Sequence, residues 1–581
     1  MDEARRKQFR WLQRRDKDYF DHWRRGFCDT YDESKRVHII AGLKVPTPGV
    51  WKGHRSMFKL NHQPWKIKKP WDEAGPSVFK KKAQKAAVTL TKQMRPAGFK
   101  FIKLLGWGGL GVCCLFEVDD GTGKKTRVVC KMDLDSRHNY IHKEIRAHVA
   151  TAGAKHIIQR VILTHHHTKI QQITKQLSAF AALGQSKAST NPDDEDEDFE
   201  MVDEPEEDVF EVVETKFVEL DMKKDFKGTL DAHDRLLFIE FMPRGRFDDY
   251  IGKVAEQGSN FPDQVLWQVF DCLFRAVIGM AYPNAFQPVG SDPRTEHIPS
   301  ISEMSSGLPE LDSRSKSSRL IHFDLEPLNV LVGDFDQDEH NILPLIKISD
   351  LGLAKMVNGQ ETDPFQVWAT RTSGKYHIYP PEQHTIEWDY LHSLPNLKVS
   401  ETAGNYNWWT NLYQVALVMW KLVTLCEYEY PPVIEELAIM QPDGTLTKDW
   451  TYGGYLFDAR FDNVDVDLRN LIALCMIHNP THRPTMDDME FSIRNHIDRD
   501  AAANDATTRA WVQNYFAGPP PPTRVDDPLD PNAYENLRGW KHEPKKDQTV
   551  GFQQDVDEAA AKGNKSVLPL SKLAKKWGLG W

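Results

Sequence analysis

Cysteine is sparse, and its pattern is not a framework. The seven cysteines, Cys28, Cys113, Cys114, Cys130, Cys272, Cys426 and Cys475, are odd in number, scattered, and without metal-type spacing. That argues against a disulfide scaffold and a zinc finger, and for a reducing interior. Long hydrophobic runs are lacking too: the longest, Leu412–Cys426, is interrupted by Gln414 and Lys421, and the opening MDEARRKQFRWLQRRDKDYF has no apolar core of a signal peptide. The expectation is an intracellular chain, cytoplasmic or nuclear, with no membrane span. Internal repeats are absent, and a formal charge of −10 excludes general affinity for nucleic acid.

What is present is uneven. At 581 residues with 40% hydrophobic residues, the chain has material for two to four units, or for one large domain with insertions. Residues 1–95 hold 24 Lys/Arg against 10 Asp/Glu, a basic extension with room for short helices near Arg5–Trp23 and suited to an acidic partner. Residues 193–214 hold 14 acidic residues out of 22, too charged to bury a core, so an insert at about 164–233 is expected to be disordered. Further inserts are expected at about 283–318 and 384–406. The tail from 501 to 581, with four prolines at 519–522, reads as extended and flexible until a short amphipathic stretch at Ser571–Trp577.

Between these segments lie short apolar runs and helical periodicities. FIKLLGWGGLGVCCLFEV and TRVVCKMDL, joined through DDGTGKK, predict antiparallel strands; YIHKEIRAHVATA predicts a helix, HIIQRVIL a buried strand, and RLLFIEFM another. A long helix is expected over Pro262–Met280, strands at LIHFDL, NVLVG and PLIKISD, and helices from Trp408 through Ile497.

Several of these elements carry chemistry. Gly106, Gly108 and Gly111 sit at a strand-turn-strand, where missing Cβ atoms let backbone N–H groups reach phosphate oxygens, although the triplet alone equally serves a flexible hairpin. Twenty residues on, Lys131 closes a strand, and thirteen further Glu144 lies on a helix. In LIHFDLEPLNVLVG and ISDLGLAK, Asp324, Asn329 and Asp350 are oxygen donors in loops. Taken singly, each of these residues has an ordinary surface or turn role.

In this order the motifs resemble the eukaryotic-type protein kinase family, over about residues 96–500. The resemblance implies an α+β, bilobal protein-kinase-like fold, with a β-rich lobe at 96–240 and a helical lobe at 241–500, binding ATP and Mg2+ and phosphorylating a protein hydroxyl, serine or threonine in preference to tyrosine. It implies that Lys131 grips phosphates and pairs with Glu144, that Asp324 is the catalytic base, and that Asn329 and Asp350 hold the metal. RLLFIEFMPRGRFDDYI resembles the hinge, with Ile239 as gatekeeper and backbone groups of Glu240, Phe241 and Met242 facing adenine; Cys113, Val129 and Leu331 would line the base. YPPEQ and HNPTHRPTMDDM resemble late motifs in which Arg483 pairs with Glu382.

The sequence departs from that family where the chemistry is concentrated. Phe323 and Glu326 replace an arginine and a lysine of the catalytic loop, and Asn411 replaces an aspartate. Counting back from Pro381-Glu382, Lys375 stands where a threonine is usual; either it turns toward Asp324 and Glu326 and returns the missing cation, or it is a solvated loop residue. The competing reading is a pseudokinase, a nucleotide-binding scaffold without transfer. His165-His166-His167, with no other ligands beside them, read as linker.

Overall fold

The computed structural model describes two strands within 37–46 and residues 78–173 and 235–518, with interruptions of which the longest are 304–317 and 389–400. Gly108, the segment near Arg5–Trp23, the acidic run at 193–214, the prolines at 519–522 and the stretch at Ser571–Trp577 lie outside the described residues. Strands β1 (Val37–Ile40) and β2 (Leu43–Pro46) pair as a hairpin.

The architecture is mixed α+β. Four strands, β3 (Lys100–Trp107), β4 (Gly111–Asp119), β5 (Lys125–Asp133) and β6 (Leu236–Glu240), form an antiparallel sheet in that order. Their alternation sorts side chains onto two faces. Cys114, Phe116, Val128, Cys130 and Phe238 join one apolar cluster, whereas Leu115, Val129, Leu237 and Ile239 join another. The first face is covered by helix α1 (Val78–Met94), through Ala83, Ala87, Leu90 and Met94. The second is covered by helix α2 (Tyr140–Ala150), through Ile141, Ile145 and Val149.

Below the sheet, helices α3 (Phe247–Glu256) and α4 (Asp263–Ala281) lead into two ribbons, β7 (Ser318–Ile321) with β10 (Lys355–Asn358), and β8 (Val330–Val332) with β9 (Ile346–Ile348). After the short helix α5 (Pro381–His384), helix α6 (Trp408–Thr424) runs through the largest core. Its start is fixed by a capping box: Asn407 Oδ1 accepts from Trp408 N at 2.8 Å, and Thr410 Oγ1 from Asn407 N at 3.2 Å. Helices α7 (Val466–Cys475) and α8 (Met486–Ala502) complete the layer. Helix α4 is the one helix among the described residues long and apolar enough to cross a membrane, and 83% of that stretch is buried inside the protein.

Five sequence-based boundaries move. The part packed with the sheet begins at 78, not 96, because the lysine-rich α1 presents an apolar stripe to it. HIIQRVIL follows β6 through an isolated bridge of Arg160 with Ile239 and two backbone bonds, Val161 N to Phe238 O (2.8 Å) and Glu240 N to Gln159 O (3.0 Å), without becoming a regular strand. The buried Gln159 amide there ties back to three carbonyls. The insert expected from 164 starts later, since Ile170 and Ile173 pack on the sheet and His166 Nε2 donates to Asp119 O (2.8 Å) beside the Phe99 ring. The inserts at 283–318 and 384–406 are anchored by Phe286, Ile298 and Trp388, all buried, and by Glu387, whose carboxylate accepts from Thr402 N and Ala403 N. The helical run from Trp408 to Ile497 is broken by an antiparallel hairpin, β11 (Glu435–Met440) with β12 (Leu446–Thr451).

The tail is corrected as well. Helix α9 (Ala506–Val512) and a wide turn at Gln513–Ala517 return to α3, where Phe516 stacks on Tyr250 with ring centroids 4.5 Å apart and Trp511 lies against Phe261. Lys253 Nζ donates to Asn514 O (3.2 Å), and Arg244 donates to Phe516 O. Aromatic burial therefore ties residues 506–517 to the core. Phe516→Ala is expected to cost about 3–5 kcal/mol of unfolding free energy in urea titrations; an unchanged midpoint would mean that the segment only rests on the surface.

Candidate functional site

Where the sheet meets the helical part, charged side chains from several segments come together. Strand β5 delivers Lys131, whose ammonium lies 2.8 Å from Glu144 Oε2 on α2 and 2.7 Å from Asp350 Oδ1 in the loop after β9. Asp350 holds a left-handed backbone (φ 59°) that begins a short helical turn at Leu351–Leu353. Burial disfavours its charge, yet the Lys131 ammonium outweighs burial and holds its carboxyl down at about 2. The same two carboxylates raise Lys131 well above an ordinary lysine against its own burial.

A second group forms between β7 and β8. Asn329 Nδ2 donates to Asp324 O (2.6 Å) and Oδ2 (3.0 Å), which leaves its own Oδ1 available as a ligand atom. Asp324 Oδ1 is buried without a hydrogen bond, with the Lys375 ammonium at 3.3 Å. Lys375 also contacts Glu326, and His377 Nε2 lies 3.2 Å from the other oxygen of that carboxylate. Burial pushes the Asp324 carboxyl up to about 7, only partly countered by Lys375. For Glu326 burial is outweighed by His377 and Lys375, and its carboxyl stays well below the usual range.

Backbone geometry explains how Lys375 arrives there. Gly374 has φ 87°, and a Cβ on it would lie 1.9 Å from Phe323 O, so only glycine permits the two loops to touch. The segment is strapped to itself: the Gln383 amide donates to Arg371 O and Ser373 O, both at 2.8 Å, and Tyr379 Oη donates to Thr372 O at 3.2 Å. The buried Arg371 guanidinium stands 4.9 Å over the Trp388 ring. Phe323 is fully buried in a left-handed conformation (φ 61°) with its ring edge-on to Tyr406. Order in this segment thus comes from glycine, aromatic and amide contacts.

The other departure also has a physical account. Asn411 Oδ1 accepts from His322 N at 2.9 Å while its Nδ2 donates to Leu320 O at 2.8 Å; an amide serves both partners, whereas a carboxylate only accepts. His322 Nδ1 accepts from Asp324 N (3.2 Å), so the ring proton sits on Nε2 and donates to Ser349 O (3.0 Å). Beneath, Arg483 clamps Glu382 in a two-pronged pair of 2.8 and 2.9 Å, both side chains fully buried.

Above the charged groups, Val129, Met242 and Leu331 share one apolar cluster with Cys113 and Ile239. Burial pushes the Cys113 thiol up to about 12, so it is a neutral wall. Gly106 and Gly111 flank the β3–β4 turn, paired close to Cys113 and Lys131 through the register Gly106 to Cys113 to Lys131. The Glu240 carboxylate accepts from Lys347 Nζ (2.6 Å) and Gln159 N (2.7 Å), and its N–H donates to Gln159 O. Gly374, Arg371, His377 and Gln383 escaped the sequence reading; Gly374 beside Lys375 was the signal that a loop had to pass closely there.

One consequence concerns stability. The unfolded chain ionises Asp324 at the ordinary carboxylate value, but the folded chain keeps its proton up to about 7, so this group's contribution is full at low pH and is lost as pH rises through that window. Relative to wild type, Asp324→Asn should gain thermal stability from about pH 4 to about pH 8, on the order of a few kcal/mol across the range; a pH-independent difference would refute the assignment. No family model matches this sequence, and no curated protein is similar to it.

Proposed function

We propose that the chain is a divergent protein kinase that transfers the γ-phosphate of ATP to a protein hydroxyl, serine or threonine in preference to tyrosine, with the four-stranded sheet and the helical part as the two lobes of a kinase-like fold. The observation that carries this reading is the convergence of Lys131, Glu144 and Asp350 with Asp324, Asn329 and Lys375 at one cleft beneath an apolar roof. Isolated motifs in unrelated loops have no reason to meet there.

The side chains fit Mg-ATP. Asp350 is 45% exposed at its side chain, and together with the uncommitted Asn329 Oδ1 it offers hard oxygen ligands suited to Mg2+. The cluster around Val129, Met242 and Leu331 suits a flat base, and Lys131 is placed to meet phosphate oxygens once one carboxylate yields. When bound, Mg-ATP supplies the transferable phosphoryl group and cationic screening of its charge. The chain's own part is positioning. Asp324 Oδ2 is occupied by Asn329, so Oδ1 is the atom that orients a substrate hydroxyl and finally takes its proton. Lys375 sets a positive charge beside Oδ1, and Glu326 holds Lys375 there.

One observation favours the alternative of a nucleotide-binding scaffold: Lys131 and Asp350 contact each other directly, at 2.7 Å. Transfer of labelled γ-phosphate to a protein and peptide panel, measured beside Mg-ATP binding, separates the two. Lys131→Met and Asp350→Ala are expected to abolish transfer with the fold retained. Lys375→Thr should lower transfer by about 10²–10³-fold, and Glu326→Lys in the same chain should recover much of that loss. Binding of Mg-ATP with no transfer in wild type would establish the scaffold.

A further inference from the structure

A separate polar cluster is buried away from the cleft. His156, in the segment after α2, is fully buried; its N–H donates to Glu303 Oε1 (2.8 Å) and its ring Nδ1 lies 2.7 Å from Glu303 Oε2. A carboxylate only accepts, so Nδ1 carries the proton and the Nε2 lone pair is free to point elsewhere. It faces His340 Nε2 at 3.2 Å, and on the far side of that ring His340 Nδ1 lies 3.9 Å from Cys272 Sγ on α4. Cys272 is 2% exposed, His340 5% and Glu303 0%. His340 is presented by a tight turn in which Asp336 Oδ1 accepts from Asp338 N, Glu339 N and His340 N.

We propose that His156, His340 and Cys272 form a structural zinc site, with Glu303 as the residue that orients His156. Four observations support it. One ligand atom from each of the three residues lies within 4.8 Å of the others, and the 3.2 Å between the two Nε2 atoms spans an angle of about 100° at an ion 2.0–2.1 Å from each, near the tetrahedral value. Cys272 Sγ, 3.9 Å from His340 Nδ1, has to close on the ion by movement of its own side chain. Two imidazoles and a thiolate are donors that suit zinc, and a histidine held at its other nitrogen by a carboxylate is the usual outer support of such a ligand. The charges close: binding releases the Cys272 proton to solvent, and the two positive charges of the ion are met by the thiolate and the Glu303 carboxylate, leaving a neutral buried site. Three protein ligands leave the fourth position to water. The spacing that argued against a zinc finger does not bear on this site, because its ligands are separated by 184 and 68 positions in sequence.

The site would lock the segment around His156 to α4 and to the turn before β9, where Ile348 N already donates to His156 O at 2.9 Å. Without an ion the same groups form a proton-linked chain from Glu303 to Cys272, and the test distinguishes the two. Full-length protein is stripped with a chelator, then titrated with zinc and, separately, with cobalt as a spectroscopic probe. One equivalent of either is expected to bind, cobalt giving a thiolate charge-transfer band that Cys272→Ser removes and Cys426→Ser keeps. Glu303→Gln should weaken zinc binding by about 10–100-fold while the band persists. Should Cys272→Ser fail to fold, the wild-type melting temperature still decides: zinc is expected to raise it by about 5 °C and a chelator to reverse the rise. No stoichiometric binding, a band that survives Cys272→Ser, or a melting temperature indifferent to zinc would overturn the proposal.

Discussion

One buried ammonium organises the cleft. Lys131 on β5 is held by Glu144 from α2 and by Asp350 from the loop after β9, so two neighbouring elements and a loop 219 positions away share a single charge. Taking that charge out of water is costly, and only two close carboxylates make it tolerable. Loss of either would leave the ammonium with one carboxylate in place of two, so the relative placement of sheet, helix and loop sets the charge balance of the site. The aligned strands above and the ribbons below are the frame that keeps these three side chains within contact.

The second charged group is held by steric means. Lys375 reaches Asp324 and Glu326 because Gly374 passes against the carbonyl of Phe323, and the residues on either side of it are tied by Gln383, Tyr379 and Arg371. Close-packed loops of this kind have few alternative conformations. Phe323, Glu326 and Asn411 therefore act together: a buried ring packs the loop, a carboxylate anchors Lys375, and an amide satisfies both a donor and an acceptor of the backbone.

Much of the cleft was legible because its residues sit in short, ordered patterns: Lys131 at a strand end, Glu144 one helix later, and Asp324, Asn329 and Asp350 in loops between apolar triplets. Counting back along the segment left Lys375 either turned toward Asp324 and Glu326 or solvated, and the contacts select the first. Other features left little trace. Helix α1 hides its buried face among lysines, since Ala83 and Ala87 carry almost no hydrophobic signal. The β11–β12 hairpin interrupts a helical stretch with strands whose faces are largely exposed, so alternation there is weak. Gln159 and Glu240 owe their partners to tertiary contacts that no local spacing encodes. The contact of His156 with His340 joins residues 184 positions apart.

The return of residues 506–517 to α3 has a consequence in time. Phe516 stacks on Tyr250 and lies in the same cluster as Phe247 and Trp267, so the face that α3 presents is closed by a side chain made 266 positions after Tyr250. During synthesis the helical part can collapse early, but it exposes the Tyr250 face until the last of its core residues has left the ribosome. Completion of this domain thus waits for residues 506–517 to emerge, with an interval in which the aromatic surface stands open to chaperones.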